Sequence, residues 1–297
     1  MRRREFITLI GGAAAWPISG RAQPTTKIPR IGVLSPGSSD KSDASLTTIN
    51  AFIPVLRELG YTEGQNIAIE RKFAGGNADR LRSLATELVE RQVDFIVAFS
   101  TPAVRAAKQA TTTIPIVAIA MADPVEDELV ASLSRPGRNV TGTTFLGPEL
   151  VSKRLQLLGE IVTGLSHGAV LWHPRACDER TMAGMVKEIE SAAQSLGTKL
   201  HFVSAAGADD LPGAFSVMTK ERAEGFIVFP SPILFGQYQR IVALAANNRL
   251  PAMYAAREAV ELGGLVSYGV NLPDLSRATA VYLQKILNGA KPAELPV

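Results

Sequence analysis

The sequence predicts an α/β protein made of two doubly wound parallel-sheet lobes joined by a hinge. Three observations lead there. From Arg30 onward, short and continuously apolar runs alternate with longer stretches of helical periodicity, the pattern of parallel strands covered on both faces. The rhythm breaks once, at "SRPGRNVTGTT" (Ser134–Thr144), where Pro, Gly, Asn and Thr surround a lone Val140. It then resumes, giving two blocks of ordinary domain size.

The elements follow in order. "RIGVL" (Arg30–Leu34) is the first strand, and helical periodicity runs over Ala44–Leu59. "NIAIERKF" (Asn66–Phe73) precedes a helix over Ala78–Arg91, whose Leu81, Leu84, Ala85, Leu88 and Val89 share one face. "DFIVAF" leads through "STPA" to a helix over Val104–Ala110, and "IPIVAIA" through "MADP" to one over Glu126–Leu133. After the break come a helix over Pro148–Ile161, "AVLW", a helix over Met182–Leu196 and "KLHFV". A helix over Leu211–Lys220, "GFIVFP", a helix over Leu234–Asn247, "LPAMY", "GGLVSYG" and a helix over Pro273–Asn288 complete the chain.

The N-terminus has a different purpose. "RRREFITLIGGAAAW" sets three arginines against a run that is apolar from Phe6 to Ile18, too short to span hydrocarbon and interrupted by Gly11, Gly12 and Pro17. "SGRAQP" follows, with Gly20 and Ala22 around Arg21. Charged, apolar and small segments in that order describe an export signal over residues 1–22, cleaved after Ala22. Arg3-Arg4 ahead of Phe6-Ile7 gives it a twin-arginine character. The expected location is the periplasm.

Cleavage would also cancel the charge. The chain has 31 Lys+Arg and 28 Asp+Glu, and residues 1–22 hold four of the arginines and one acid, which leaves 27 of each. A basic stripe for nucleic acid is therefore not expected. Cys177 is the single cysteine, so no intrachain disulfide can form. "HPRACDER" puts His173 four residues from it without a surrounding motif, and an ordinary semi-buried thiol is the plainer reading. "GGNADR" (Gly75–Arg80) lacks the phosphate-loop lysine and reads as a turn capped by Asn77. His167, His173 and His201 lack metal-ligand spacing. No catalytic residue, metal or cofactor is expected.

Two such lobes create a cleft, and open α/β sheets bind at the carboxyl ends of their strands. Those ends are rich in hydroxyls, prolines and helix starts, whose free N–H groups favour an anion such as a carboxylate. Ser35, Ser100 and Thr101 follow strands and face two readings, ligand contact or helix capping. Asp123, before Pro124, accepts from a ligand ammonium or caps the next turn. Trp172, Tyr254 and Tyr268 stack on a ligand or pack internally. Thr143 and Thr144 lie in the expected crossing.

Several long blocks carry a family resemblance: "RIGVLSPGS", "LRELGYTEGQNIAIERKFAGGNADRL", "LATELVERQVDFIVAFSTPAVRAAKQAT", "IPIVAIAMADPV", "LVASLSRPGRNVTG", "RLPAMYAAREAVELGGLVSYG" and "ILNGAKPAELPV". In this order they resemble the ABC-transporter substrate-binding proteins with a type I periplasmic-binding fold, some of which bind aromatic amino acids. The resemblance implies capture of a small molecule between closing lobes by a monomer, and delivery to an inner-membrane permease with a separate ATPase. It implies a first lobe of residues 28–142 plus 270–297 and a second of 143–269. Family members usually continue past "LPV", so the second lobe is expected to lack a terminal segment. Many have Asn-Pro where this chain has His173-Pro174, which implies a different ligand preference. A sensor feeding a membrane signalling protein and a periplasmic enzyme on the same fold are the competing readings.

Overall fold

The computed structural model describes residues 28–39 and 44–297, so the export signal read at residues 1–22 lies outside the described residues. The first block contains β1 (Arg30–Ser35), α1 (Ala44–Asn50), α2 (Phe52–Glu58), β2 (Ala68–Phe73), α3 (Arg80–Glu90), β3 (Phe95–Phe99), α4 (Ser100–Ala110), β4 (Ile116–Met121) and β5 (Val140–Thr144). Its strands form one parallel sheet in the order β2-β1-β3-β4-β5. The second block contains α5 (Gly147–Ile161), β6 (His167–Trp172), α6 (Glu179–Leu196), β7 (Lys199–Ser204), α7 (Leu211–Lys220), β8 (Gly225–Val228), α8 (Pro232–Phe235), α9 (Tyr238–Asn247), β9 (Ala252–Tyr254), α10 (Glu258–Glu261) and β10 (Val266–Ser267). They pair, again parallel, in the order β10-β9-β8-β6-β7. Two doubly wound sheets are what the apolar runs required.

Alternation along each strand divides the core. Leu34, Ile96, Ala98 and Ala118 point to the face covered by α3 and α4. Ile31, Val33, Val97, Val117 and Ile119 point to the opposite face. That face is covered by α2 and by α11 (Leu272–Leu287), whose Ala280, Leu283 and Ile286 complete the packing. The helix starts with Pro273 inside its first turn and with the Asn271 side chain accepting from the Asp274 N–H at 3.4 Å. In the second sheet, Leu171, Phe226 and Val228 pack under α7 and α9, while Val170, Ile227 and Phe229 pack under α5 and α6.

The helices expected over Ala44–Leu59 and Leu234–Asn247 are each divided in two, and two further elements differ in kind. Glu126–Leu133 is not a helix. One turn closes, with Asp127 N donating to Asp123 O at 3.0 Å and Leu129 N to Pro124 O at 2.9 Å. Glu128 then takes a left-handed φ of 54°, which stops propagation. "NVTGTT" is not a bare crossing either, since Val140–Thr144 is β5, an edge strand beside β4. The ladder shifts register between Ala118 and Met121. Gly142 sits against it at φ +136°, where a Cβ would lie 2.2 Å from the Ala118 carbonyl oxygen. A strand with one apolar residue and an obligatory glycine has no hydrophobic signature. The chain leaves it through Phe145 and Leu146, the latter at φ 53°, directly into α5.

Candidate functional site

A cavity lies between the carboxyl ends of the two sheets, the place where open α/β sheets bind their ligands. The first sheet contributes Phe99, Ser100, Thr101 and Ala120 to it. Ser100 opens α4 with a left-handed φ of 75°, and Ala120 near the end of β4 has a φ of 59°. Non-glycine residues rarely adopt this conformation, and strain of this kind concentrates at ligand-contacting positions. The turn buries the Ser100 hydroxyl without a partner. Thr101 Oγ1 accepts from Ala122 N at 3.0 Å and so ties the start of α4 to the end of β4.

The opposite wall comes from the β8–α8 junction and α9. Ser231 Oγ accepts from Leu234 N at 3.4 Å, so it caps α8 while lining the cavity beside Pro230, Pro232 and Phe235. Phe235 meets Tyr238 edge-on at 5.1 Å between ring centroids, and Tyr238 meets Tyr254 at 5.5 Å. Burial pushes the phenols of Tyr238 and Tyr254 up, so both stay neutral. Phe145 and Val270, from the two segments that connect the sheets, and Leu272 at the start of α11 close the space.

Arg154 also lines the cavity. It is 1% exposed, the largest fully buried side chain of the described residues. Its Nε donates to the Tyr268 carbonyl at 2.8 Å, whereas Nη1 is buried without a partner. Desolvation lowers its pKa to about 10, so the guanidinium is still a cation at neutral pH.

Charged side chains join the two blocks at the rim. Arg105 of α4 pairs with Asp178 at the start of α6. Arg175 reaches Asp79 at 2.7 Å and Arg180 reaches Glu128 at 2.5 Å. Thr181 Oγ1 donates to Asp127 Oδ1 at 2.6 Å, and burial pushes that carboxyl up against the effect of this bond. Cys177 lies nearby, its thiol pushed up to about 12 by burial and by Asp127. That shift favours the protonated thiol over the reactive thiolate at neutral pH. His173, also driven down by burial, accepts from Arg175 N through Nδ1 at 3.0 Å. The described residues hold no cluster of three His, Cys, Asp or Glu suited to a metal ion. They also contain no helix long and apolar enough to cross a membrane.

Of the residues singled out in the sequence, Ser100 and Thr101 line the cavity. The others lie outside its lining. Ser35 is buried at the end of β1, where Oγ accepts from Gly37 N at 3.1 Å. Asp123 Oδ1 accepts from Val125 N and Glu126 N at 3.2 and 3.0 Å, the capping alternative. Thr143 Oγ1 accepts from Ala120 N at 3.1 Å, and Thr144 Oγ1 donates to Met121 O at 2.9 Å. Trp172 packs against the α5–α6 core, Tyr254 lies behind Tyr238, and the Tyr268 carbonyl holds Arg154. Sequence reasoning missed Phe145, Arg154, Ser231, Phe235 and Tyr238. For Arg154 a signal existed: it falls at helical spacing among Val151, Leu155 and Leu158, the buried face of α5.

Comparison with known proteins agrees with this architecture. Residues 31–297 match the family model described as ABC transporter substrate binding protein. A tyrosine-binding protein of Clostridioides difficile (strain R20291) is 27% identical over 248 residues, covering 83% of this chain and 70% of the relative. A conserved domain protein of Vibrio cholerae superposes with a TM-score of 0.82 at 28% identity, over 91% of this chain and 88% of that one. An ABC domain of Streptococcus pneumonia in complex with L-Trp gives 0.80 at 26% identity, with the same coverage.

Proposed function

The chain belongs to the family of ABC transporter substrate binding proteins, and on that premise we propose that it is a periplasmic receptor for an aromatic amino acid or a related carboxylate. It captures the solute between two lobes and delivers it to an inner-membrane permease driven by a separate ATPase. One observation supports this reading above the rest: a cavity walled by both sheets and by both connecting segments, lined by Phe99, Phe145, Phe235 and Tyr238. Aromatic rings with a few hydroxyls suit a flat, partly polar solute. The lobes we propose are residues 28–142 plus 270–297 and residues 143–269. The packing of α11 on the first sheet supports the return of the chain.

The test is binding without turnover. L-Tyrosine, L-tryptophan and 3-phenylpropanoate are titrated by calorimetry and by thermal shift. At least one should raise Tm with concentration, by the logarithmic dependence expected of a ligand that binds only the folded state. Chromatographic recovery of a chemically altered solute would replace the receptor with an enzyme.

Export is the second part of the proposal. Arg3-Arg4 before an apolar segment and Gly20–Ala22 support a twin-arginine signal. Replacing both arginines by lysine should leave the precursor in the cytoplasm. Unchanged arrival in the periplasm would exclude the twin-arginine route.

A further inference from the structure

We propose that Arg154 is the anchor for a carboxylate group on the ligand, an inference that rests on the receptor reading above. A guanidinium offers five N–H donors in a planar fork. Here Nε is spent on the Tyr268 carbonyl, while Nη1 has no partner although the residue is 1% exposed. Among the described residues Arg154 forms no ion pair, and its Nη2 lies 3.4 Å from where a Cβ at Gly269 would stand. A desolvated cation without a counter-charge is unfavourable, and an arriving anion removes that penalty.

The shape of the site selects the anion. The guanidinium fork matches the two oxygens of a carboxylate, and low-dielectric walls strengthen the pairing. Phe145, Phe235 and Tyr238 supply those walls, an apolar and aromatic lining that shares the cavity with the guanidinium. The side chain is also held in position. Tyr268 and Gly269 belong to the segment between β10 and α11, and a Cβ at Gly269 would lie 2.0 Å from the Ala255 carbonyl oxygen. That segment is pressed against the end of β9, so the carbonyl that orients Arg154 has a fixed place. Lysine, a point charge without the fork, cannot keep the Tyr268 bond and address a carboxylate together.

The experiment compares each acid with its amide: L-tyrosine with L-tyrosinamide, L-tryptophan with L-tryptophanamide, and 3-phenylpropanoate with 3-phenylpropanamide. Calorimetry is run on the wild type, Arg154→Lys and Arg154→Met. The wild type should favour the acid by about 100-fold, the scale for losing one partner of a buried charged pair. Arg154→Met should bring acid and amide within about 3-fold of each other, and Arg154→Lys should fall between. Melting of unliganded Arg154→Met at or above the wild-type temperature would show an intact fold. Equal wild-type affinity for acid and amide, or an unchanged preference in Arg154→Met, overturns the carboxylate anchor and leaves the receptor reading standing. If the wild type binds none of the six at millimolar concentration, the aromatic-ligand reading falls and the anchor with it.

Discussion

Gly142→Ala should lower the unfolding free energy by at least about 3 kcal/mol, the sum of a left-side φ penalty and an overpacked backbone contact. At this chain length the corresponding fall in Tm is roughly 10 °C. The new Cβ would meet the Ala118 carbonyl oxygen at 2.2 Å and the Ala118 nitrogen at 2.5 Å, both backbone atoms that cannot rotate away. Relief requires β5 to move off β4. That shift would pull Thr143 from the Ala120 N–H and Thr141 from its bond to the Leu295 carbonyl, at 3.1 and 2.7 Å. Because Ala120 lines the cavity, ligand affinity should fall as well. Gly159→Ala and Gly184→Ala are the controls, since both lie in helices with nothing within 4 Å of the new methyl. They should be neutral or gain up to about 1 kcal/mol. Melting curves for the three variants check the contrast, and equal curves would remove Gly142 as a backbone requirement.

Tyr238→Ala is expected to cost about 3–5 kcal/mol of stability, the usual range for a buried aromatic side chain. The ring is 2% exposed and joins Phe235 to Tyr254 through two edge-on contacts. It also forms part of the cavity wall, so its loss removes a ligand surface and the support for Phe235 together. Tyr238→Phe separates the effects. It keeps the ring and removes a hydroxyl bonded to the Ala255 backbone, so it should cost only about 1 kcal/mol and retain most binding. Denaturant unfolding measures the first quantity and calorimetry the second. Wild-type affinity in a folded Tyr238→Ala would place the ligand elsewhere.

The legible parts of the fold were those with a hydrophobic signature. β3 and β4 are buried at every position, and "FIVAF" and "IVAIAM" announce this directly. β5 could not be read, because its pairing depends on a backbone irregularity in β4 and on the missing side chain of Gly142. The turn after β4 looked helical from Glu126 on, yet a single left-handed residue at Glu128 ended it. In the site, Ser100 and Thr101 were legible because they stand at the carboxyl end of a strand, where open α/β sheets bind, whereas Ser35 at the end of β1 turns to its own loop. Tyr254 was named from its strand end, but the parity of a three-residue strand turns it behind Tyr238. Phe145, Phe235 and Tyr238 come together only through the relative placement of two sheets, which no local pattern encodes.

The position of α11 also bears on how the chain acquires its structure during synthesis. Ser276 Oγ donates to the Ile49 carbonyl at 3.1 Å, joining residues 227 positions apart. Closing so long a loop is tolerable in free energy, since each doubling of length adds only about 0.6 kcal/mol. The cost is in waiting time, because contacts distant in sequence form late. Phe52, Leu56, Val117 and Ile119 leave the ribosome long before Leu283 and Ile286, which cover them. Until the last helix is made, that face of the first sheet has α2 but not α11 to cover it, and its remaining apolar surface is open to association with other nascent chains.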